Sequence, residues 1–129
     1  MTEGHRGPRV WQEAMHLAED VYALTRSFPR DEIYGLTSQM NRAAVSVPSN
    51  IAEGYGRGGR DYERFVTLAY GSLLELETQL ELSGRIGLTS AEQVEALLQR
   101  TSSVGRMLNA LRNGLRRRRS QAAGEDAEP

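Results

Sequence analysis

Apolar residues recur at alternating intervals of three and four residues in four separate stretches of this chain, a pattern that predicts amphipathic helices. The first stretch keeps the interval throughout: Val10, Ala14, Leu17, Val21, Leu24 and Phe28. The stripes predict helices over about residues 9–27, 36–54 and 60–85. A fourth helix follows Ser90, which forms a capping box with Gln93. Four such helices with short connections predict an all-α, up-down-up-down four-helix bundle.

The length of 129 residues is sufficient for one compact domain. We expect a disordered N-terminal arm at residues 1–8, the bundle at residues 9–119 and a disordered acidic tail at residues 120–129. The absence of cysteine excludes disulfides and thiolate metal sites. No apolar run reaches the length of a membrane span, about 18 residues, and the first residues lack the apolar core of a signal peptide. These features favour a cytoplasmic protein without a membrane partner.

Pro48 lies inside the stripe of the second helix. Proline lacks a backbone donor and crowds the carbonyl four residues earlier, so it predicts a kinked helix. Two separate helices, with a new start at Ser49 or Asn50, are the alternative. The side chains of Ser46 and Asn50 can hydrogen-bond backbone groups that the proline frees. Ser46, Pro48 and Asn50 are therefore predicted to shape the kink and a contact surface.

Glycines dominate residues 54–59, GYGRGG, and predict a tight turn between the second and third helices. The segment lacks the preceding strand and the Gly-Lys-Ser/Thr sequence of a phosphate-binding P-loop. Arg57 is expected to project from this turn, where the backbone can approach a phosphate closely.

Basic residues are unevenly distributed, and all sixteen are arginines. No acidic residue occurs between Glu95 and Glu125, an interval that contains Arg106, Arg112, Arg116, Arg117, Arg118 and Arg119. Arginine clusters on a helix are typical of nucleic-acid binding, because the guanidinium fork matches phosphate oxygens. The alternative is a solvated helix end, where cations also offset the helix dipole.

Catalytic and metal sites are not predicted. Glu13 and His16 have the Glu-x-x-His spacing of di-iron bundles, but the chain has only one other histidine, His5. Glu77 and Glu81 share a helix face, yet no histidine, lysine or cysteine completes a catalytic set. We therefore expect a non-enzymatic protein without a metal or another cofactor.

Three blocks carry a family resemblance: residues 11–29, residues 34–57 and residues 71–80. They resemble a bacterial four-helix-bundle family encoded in intervening sequences of large-subunit ribosomal RNA genes. That family is related to the accessory variability determinants of diversity-generating retroelements. The resemblance implies a pentameric barrel and a basic surface that binds nucleic acid and a reverse transcriptase. Arg42 and Arg57 match basic positions of the family signature, whereas Asn41 stands where another arginine is usual.

Two functional hypotheses remain at this stage. The first is a homo-oligomeric adaptor, a pentamer by resemblance, that binds RNA or DNA through its arginines. The second is a protein-protein assembly module that binds no nucleic acid and uses the same arginines in salt bridges between subunits. Burial of Arg42, Arg57 or Arg106 opposite Glu75 or Glu77 in the oligomer favours the second hypothesis, and a shared solvent-facing basic ring in the oligomer favours the first.

Overall fold

Four α-helices and one short 3₁₀ helix form the part of the chain that the computed structural model describes, residues 8–127. The helices are α1 (Arg9–Thr25), α2 (Leu36–Arg57), α3 (Gly59–Arg85) and α4 (Ala91–Ala127), with the 3₁₀ helix at Arg30–Glu32. Residues 8–127 contain no strand, so the prediction of an all-α four-helix fold is confirmed. The predicted N-terminal arm lies outside the described residues, except for Pro8.

Each helix packs against the helices that precede and follow it, and α4 also packs against α1. Within the described residues, α1 makes no close backbone contact with α3, and α2 makes none with α4. The helices therefore occupy the corners of a four-membered ring, the arrangement that short connections impose on an up-down bundle.

The predicted stripes supply the core. Five of the six residues of the first stripe lie in α1 and are buried, and the sixth, Phe28, is buried just after the helix ends. They meet Met40, Val47 and Ile51 from α2, and Leu73, Leu76 and Leu80 from α3. Thr101 is fully buried on α4, where its hydroxyl donates to Glu77 Oε2 over 2.7 Å. The same hydroxyl lies 2.9 Å from the Leu98 carbonyl oxygen, so this buried polar group is satisfied.

α2 is one continuous helix with Pro48 buried inside it, so the two-helix alternative for this stretch is wrong. The turn around the proline is fastened to α3 by a 2.8 Å hydrogen bond between the Ser46 and Ser72 hydroxyls. Asn50 Nδ2 donates to the Ser46 carbonyl at 2.8 Å and to its hydroxyl at 2.9 Å. Ser46 and Asn50 are thus engaged within the subunit.

The predicted glycine turn is shorter in the structure, because α2 extends through Gly54 and Gly56 to Arg57. Only Gly58 separates α2 from α3, and positive φ angles of 71° at Gly58 and 56° at Gly59 make the reversal. Gly54 serves close packing: a Cβ there would lie 2.7 Å from Phe65 Cβ. The sequence shows the glycines but not which of them turn the chain and which admit a neighbour.

α4 begins where the capping box predicts, with the Gln93 amide donating to Ser90 Oγ at 3.1 Å. The helix continues to Ala127, past Ser120, where the sequence predicts the start of a disordered tail. Gly105 leaves room for α3, because a Cβ at this position would lie only 3.3 Å from Leu73 Cδ2. The glycine lets α4 lie close to α3 despite its low helix propensity.

Candidate nucleic-acid interface

Arg57 is the last residue of α2, and local contacts hold its guanidinium group. Its Nε lies 3.0 Å from Glu53 Oε2, and its Nη1 lies 3.5 Å from Asp61 Oδ2. The hydrogen bond that Arg57 donates to Glu53, followed by the negative charge of Glu53 and the contacts with Asp61, raises the pKa of Arg57. The guanidinium carbon also lies 5.0 Å from the centre of the Phe65 ring. The side chain remains half exposed, so it is oriented without being removed from solvent.

Glu63 on α3 joins two arginines of α4. Its Oε1 accepts from Arg116 Nε at 2.7 Å, and its Oε2 accepts from Arg119 Nη1. The Glu63 side chain is only 12% exposed, whereas both arginines keep about half of their surface in solvent. A shielded carboxylate therefore fixes the arginine-rich part of α4 beside the beginning of α3.

Arg117 and Arg118 are exposed, and neither forms an ion pair with a described acidic side chain. Burial raises the pKa of Tyr62, and the positive charge of Arg118 opposes that shift. This interaction places Arg118 near the first turn of α3. These two arginines are therefore available to a ligand.

The contacts of Glu63 and Tyr62 bring together arginines that are distant in the sequence. We call this group the arginine end: Arg57, Arg60, Arg64, Arg116, Arg117, Arg118 and Arg119. Its described carboxylates are Glu53, Asp61 and Glu63, so seven positive charges face three negative ones. Sequence reasoning missed Arg60, Arg64 and Glu63, although Arg57, Arg60 and Arg64 share a helix-like spacing across the turn.

Arg112 lies one turn before this group and belongs partly to the packing between α3 and α4. Its Nη2 donates to Asn109 Oδ1 at 2.7 Å, and its guanidinium carbon lies 5.5 Å from the Tyr70 ring centre. Its Nε is buried and has no hydrogen-bond partner within the described residues. Arg112 is therefore less accessible than Arg116–Arg119.

Arg106 and Arg42 do not join the arginine end. Arg106 is exposed on α4 and donates to Ser102 Oγ at 2.9 Å. Arg42 is exposed in a polar groove of about 460 Å³ between α2 and α3, which Glu75 also lines. The eight predicted arginines thus divide among one end of the bundle, one face of α4 and one separate groove.

Two apolar surfaces remain uncovered in the described subunit. The α3 outer stripe is the name we give to three leucines of α3 that lie outside its core, Leu68, Leu74 and Leu82, each of which is 46% exposed. Leu68 and Leu82 therefore lie outside the core of the subunit. Gly71 and Thr78 lie between the leucines along α3, so small side chains separate them.

The second surface is a groove of about 640 Å³ between α1 and α2, which we call the α1–α2 groove. Trp11, Met15, Tyr22, Val45 and Pro48 form most of its apolar lining. Met15, Tyr22 and Val45 each expose about two fifths of their surface. Trp11 and Tyr22 thus lie beside the core stripe of α1 and face this groove.

Comparisons with known proteins agree with the fold. The family model for the 23S rRNA-intervening sequence protein matches residues 7–110. A crystal structure of a protein of unknown function from the S23 ribosomal protein family of Bacteroides thetaiotaomicron is similar, with a TM-score of 0.73 and 23% identity. The match covers 80% of this chain and 97% of that one. No curated protein matches the sequence. None of the described helices is long and apolar enough to cross a membrane.

Proposed function

This chain belongs to the 23S rRNA-intervening sequence protein family, and we propose that it is a non-enzymatic oligomeric adaptor that binds nucleic acid at its arginine end. One observation carries the proposal: Glu63 and the α2–α3 turn gather seven arginines from two distant segments at one end of the bundle. Among the described side chains of this end, seven arginines are matched by only three carboxylates. An exposed cluster of this kind attracts a phosphate backbone.

The character of the surface favours phosphate contacts over base reading. Arg117 and Arg118 are exposed and can turn their guanidinium forks toward phosphate oxygens. Tyr55 and Tyr62 lie edge to face, with ring centres 5.7 Å apart, and so do not form an open stacking platform. We expect RNA and DNA to bind with little dependence on base sequence, because phosphate contacts carry no sequence information.

The two uncovered apolar surfaces support self-association. The α3 outer stripe is convex and the α1–α2 groove is concave, so the stripe of one copy can enter the groove of the next. An interface between two different surfaces repeats around a ring until it closes. We propose a homo-oligomer of this type. The family resemblance favours a pentamer, and each added subunit would add one arginine end to the nucleic-acid surface.

The resemblance to accessory variability determinants adds a protein partner to this proposal. A reverse transcriptase would meet the assembled ring through the same basic surface. We expect the immobilised wild-type protein to retain a purified reverse transcriptase. The Arg117→Gln/Arg118→Gln variant should not retain it.

A protein-protein assembly module without nucleic-acid binding is the second candidate. Glu53, Asp61 and Glu63 favour it, because they already engage Arg57, Arg116 and Arg119 within the subunit. In that case the arginines order the end of α4 and solubilise the oligomer, and the apolar surfaces alone carry the function.

Charge-matched variants distinguish the two candidates. Arg117→Gln/Arg118→Gln removes two exposed charges from the arginine end, and Arg26→Gln/Arg30→Gln removes two exposed charges at the other end of the bundle. We expect the first variant to weaken binding of a labelled duplex about tenfold or more, and the second to leave it unchanged. Equal weakening by both would indicate a non-specific effect of net charge. The oligomer mass, measured in the same samples, shows that neither variant acts through assembly.

A further inference from the structure

Two arginines of the arginine end, Arg57 and Arg64, lie against the ring of Phe65. The guanidinium carbon of Arg57 is 5.0 Å from the ring centre, and that of Arg64 is 4.7 Å from it. We propose that these three side chains, which we call the Phe65 stack, form a stacking site for an unpaired base, a contact that single-stranded nucleic acid can make and a duplex cannot. This inference rests on the proposed adaptor function and names the class of nucleic acid that gains most from it.

Ion pairs orient the two guanidinium groups in the free subunit. Asp61 lies beside both of them, with Oδ2 3.5 Å from Arg57 Nη1 and Oδ1 3.6 Å from Arg64 Nε. Glu53 accepts a further hydrogen bond from Arg57 Nε at 3.0 Å. A base would therefore meet groups that are already ordered, which reduces the entropy lost on binding.

Phe65 supports the guanidinium groups from α3. Its side chain is partly buried, and Gly54 allows it to lie close to α2, since a Cβ on Gly54 would be 2.7 Å from Phe65 Cβ. Packing thus holds the ring, and cation–π attraction keeps both guanidinium groups near it.

The charges of the Phe65 stack are balanced. Arg57 and Arg64 share Glu53 and Asp61, so two positive charges lie beside two negative ones. The stack therefore attracts phosphate less than unpaired arginines do. It keeps its flat surface, because the side chains of Arg57 and Arg64 are 50% and 58% exposed. Unpaired bases stack on guanidinium planes of this kind.

The stack and the unpaired arginines should contribute to binding in different ways. Every base has a flat face, so stacking depends on the presence of a base and not on its identity. In a duplex this contact would first require a base to leave the helix, which costs free energy. Phosphate contacts of Arg117 and Arg118 are open to both kinds of nucleic acid, and their contribution falls with salt.

Anisotropy titrations with three labelled probes of equal length test the site: an oligothymidine strand, an abasic strand and a duplex. We expect the wild-type protein to bind oligothymidine about fivefold or more tightly than the abasic strand, which carries the same phosphates without bases. Arg64→Lys keeps the charge and removes the plane. It should remove most of this difference and leave the affinity for the abasic strand, the affinity for the duplex and the salt dependence unchanged. Arg60→Lys is the matched control, because Arg60 is exposed and lies against no aromatic ring of the described residues.

Equal wild-type affinity for oligothymidine and the abasic strand would overturn the stacking site and leave the adaptor proposal intact. The same conclusion would follow if Arg64→Lys weakened all three probes equally, or if Arg60→Lys had the same effect as Arg64→Lys. Phe65→Leu should act as Arg64→Lys does, and the 58% exposure of Arg64 keeps the test valid even if Phe65→Leu does not fold. Absence of binding to every probe at about 50 mM salt would instead overturn the adaptor proposal, and the stacking site with it.

Discussion

The Nε atom of Arg116 on α4 lies 2.7 Å from Oε1 of Glu63 on α3. Glu63 precedes Arg116 by 53 residues in the sequence, and its side chain is only 12% exposed. The same carboxylate also accepts a hydrogen bond from Arg119. One acidic side chain thus joins the carboxyl-terminal turns of α4 to the first turns of α3. It also neutralises part of the charge that the proposed nucleic-acid surface depends on.

Replacing Glu63 tests both of these roles. Glu63→Gln should tighten nucleic-acid binding, because two guanidinium groups lose their internal partner, and should steepen the salt dependence by about 0.9 for each phosphate gained on duplex DNA. It should also lower the free energy of unfolding by about 1 kcal/mol, the upper range for a partly exposed ion pair. Anisotropy titrations and urea unfolding measure the two effects. Glu95→Gln is the control, because Glu95 is exposed on α4 and forms no ion pair with the described residues. An equal gain in affinity for Glu95→Gln would contradict a specific role for Glu63.

Gly54 should be intolerant of a side chain. A Cβ at this position would lie 2.7 Å from Phe65 Cβ and 3.2 Å from the Tyr62 carbonyl oxygen. We expect Gly54→Ala to destabilise the subunit by about 1–3 kcal/mol, the usual effect of overpacking, despite the better helix propensity of alanine. Gly56→Ala meets open space and should be neutral or stabilising by up to about 1 kcal/mol. Similar urea midpoints for the two variants would show that α2 and α3 are not closely packed at this point.

Pro48 should act on assembly more than on folding. Pro48→Ala restores a backbone donor in α2, so we expect the helical circular dichroism to be retained, the helix to straighten and the oligomer to weaken. Pro48 lines the α1–α2 groove, which is why a change in helix shape would alter the proposed docking surface. Light scattering measures the mass, with Pro29→Ala outside the groove as the control. An unchanged oligomer mass for Pro48→Ala would exclude this role.

The α3 outer stripe should be required for self-association. Leu74→Glu places a charge on a half-exposed position, so the subunit should unfold at nearly the same urea concentration while the oligomer dissociates. Tyr34→Glu is the matched control, because Tyr34 is an exposed apolar residue in the connection between α1 and α2. Sedimentation analysis of both variants decides the matter. Intact oligomers of Leu74→Glu, or dissociation of both variants, would place the interface elsewhere.

Periodicity was sufficient to predict the helices, because each stripe is long and its core residues are the ones that become buried. The capping box at Ser90 located the beginning of α4 for the same local reason. The functions of individual glycines were less visible. Gly54 and Gly58 are alike in the sequence, yet one admits Phe65 and the other reverses the chain, and only tertiary packing distinguishes them.

The candidate site was predicted in part. Local clustering identified Arg116–Arg119, but the inclusion of Arg60 and Arg64 depends on the contact of α4 with Glu63, which no local pattern encodes. The same limit applies to Arg42 and Arg106, which lie on other surfaces although they are as basic as the rest. Leu68 and Leu82 fit the core spacing approximately but lie outside the core of the subunit.

The adaptor proposal is tested most directly by the affinity of the wild-type protein for labelled duplex DNA and single-stranded RNA across a salt series that begins near 50 mM. Arg117 and Arg118 alone offer two phosphate contacts per subunit, so the logarithm of the binding constant should fall linearly with the logarithm of salt, with a slope of about −2 or steeper on duplex DNA. Binding should vary little with base sequence. Absence of binding to both nucleic acids at about 50 mM salt, with the oligomer intact, would contradict the adaptor and leave the protein-protein assembly module as the function.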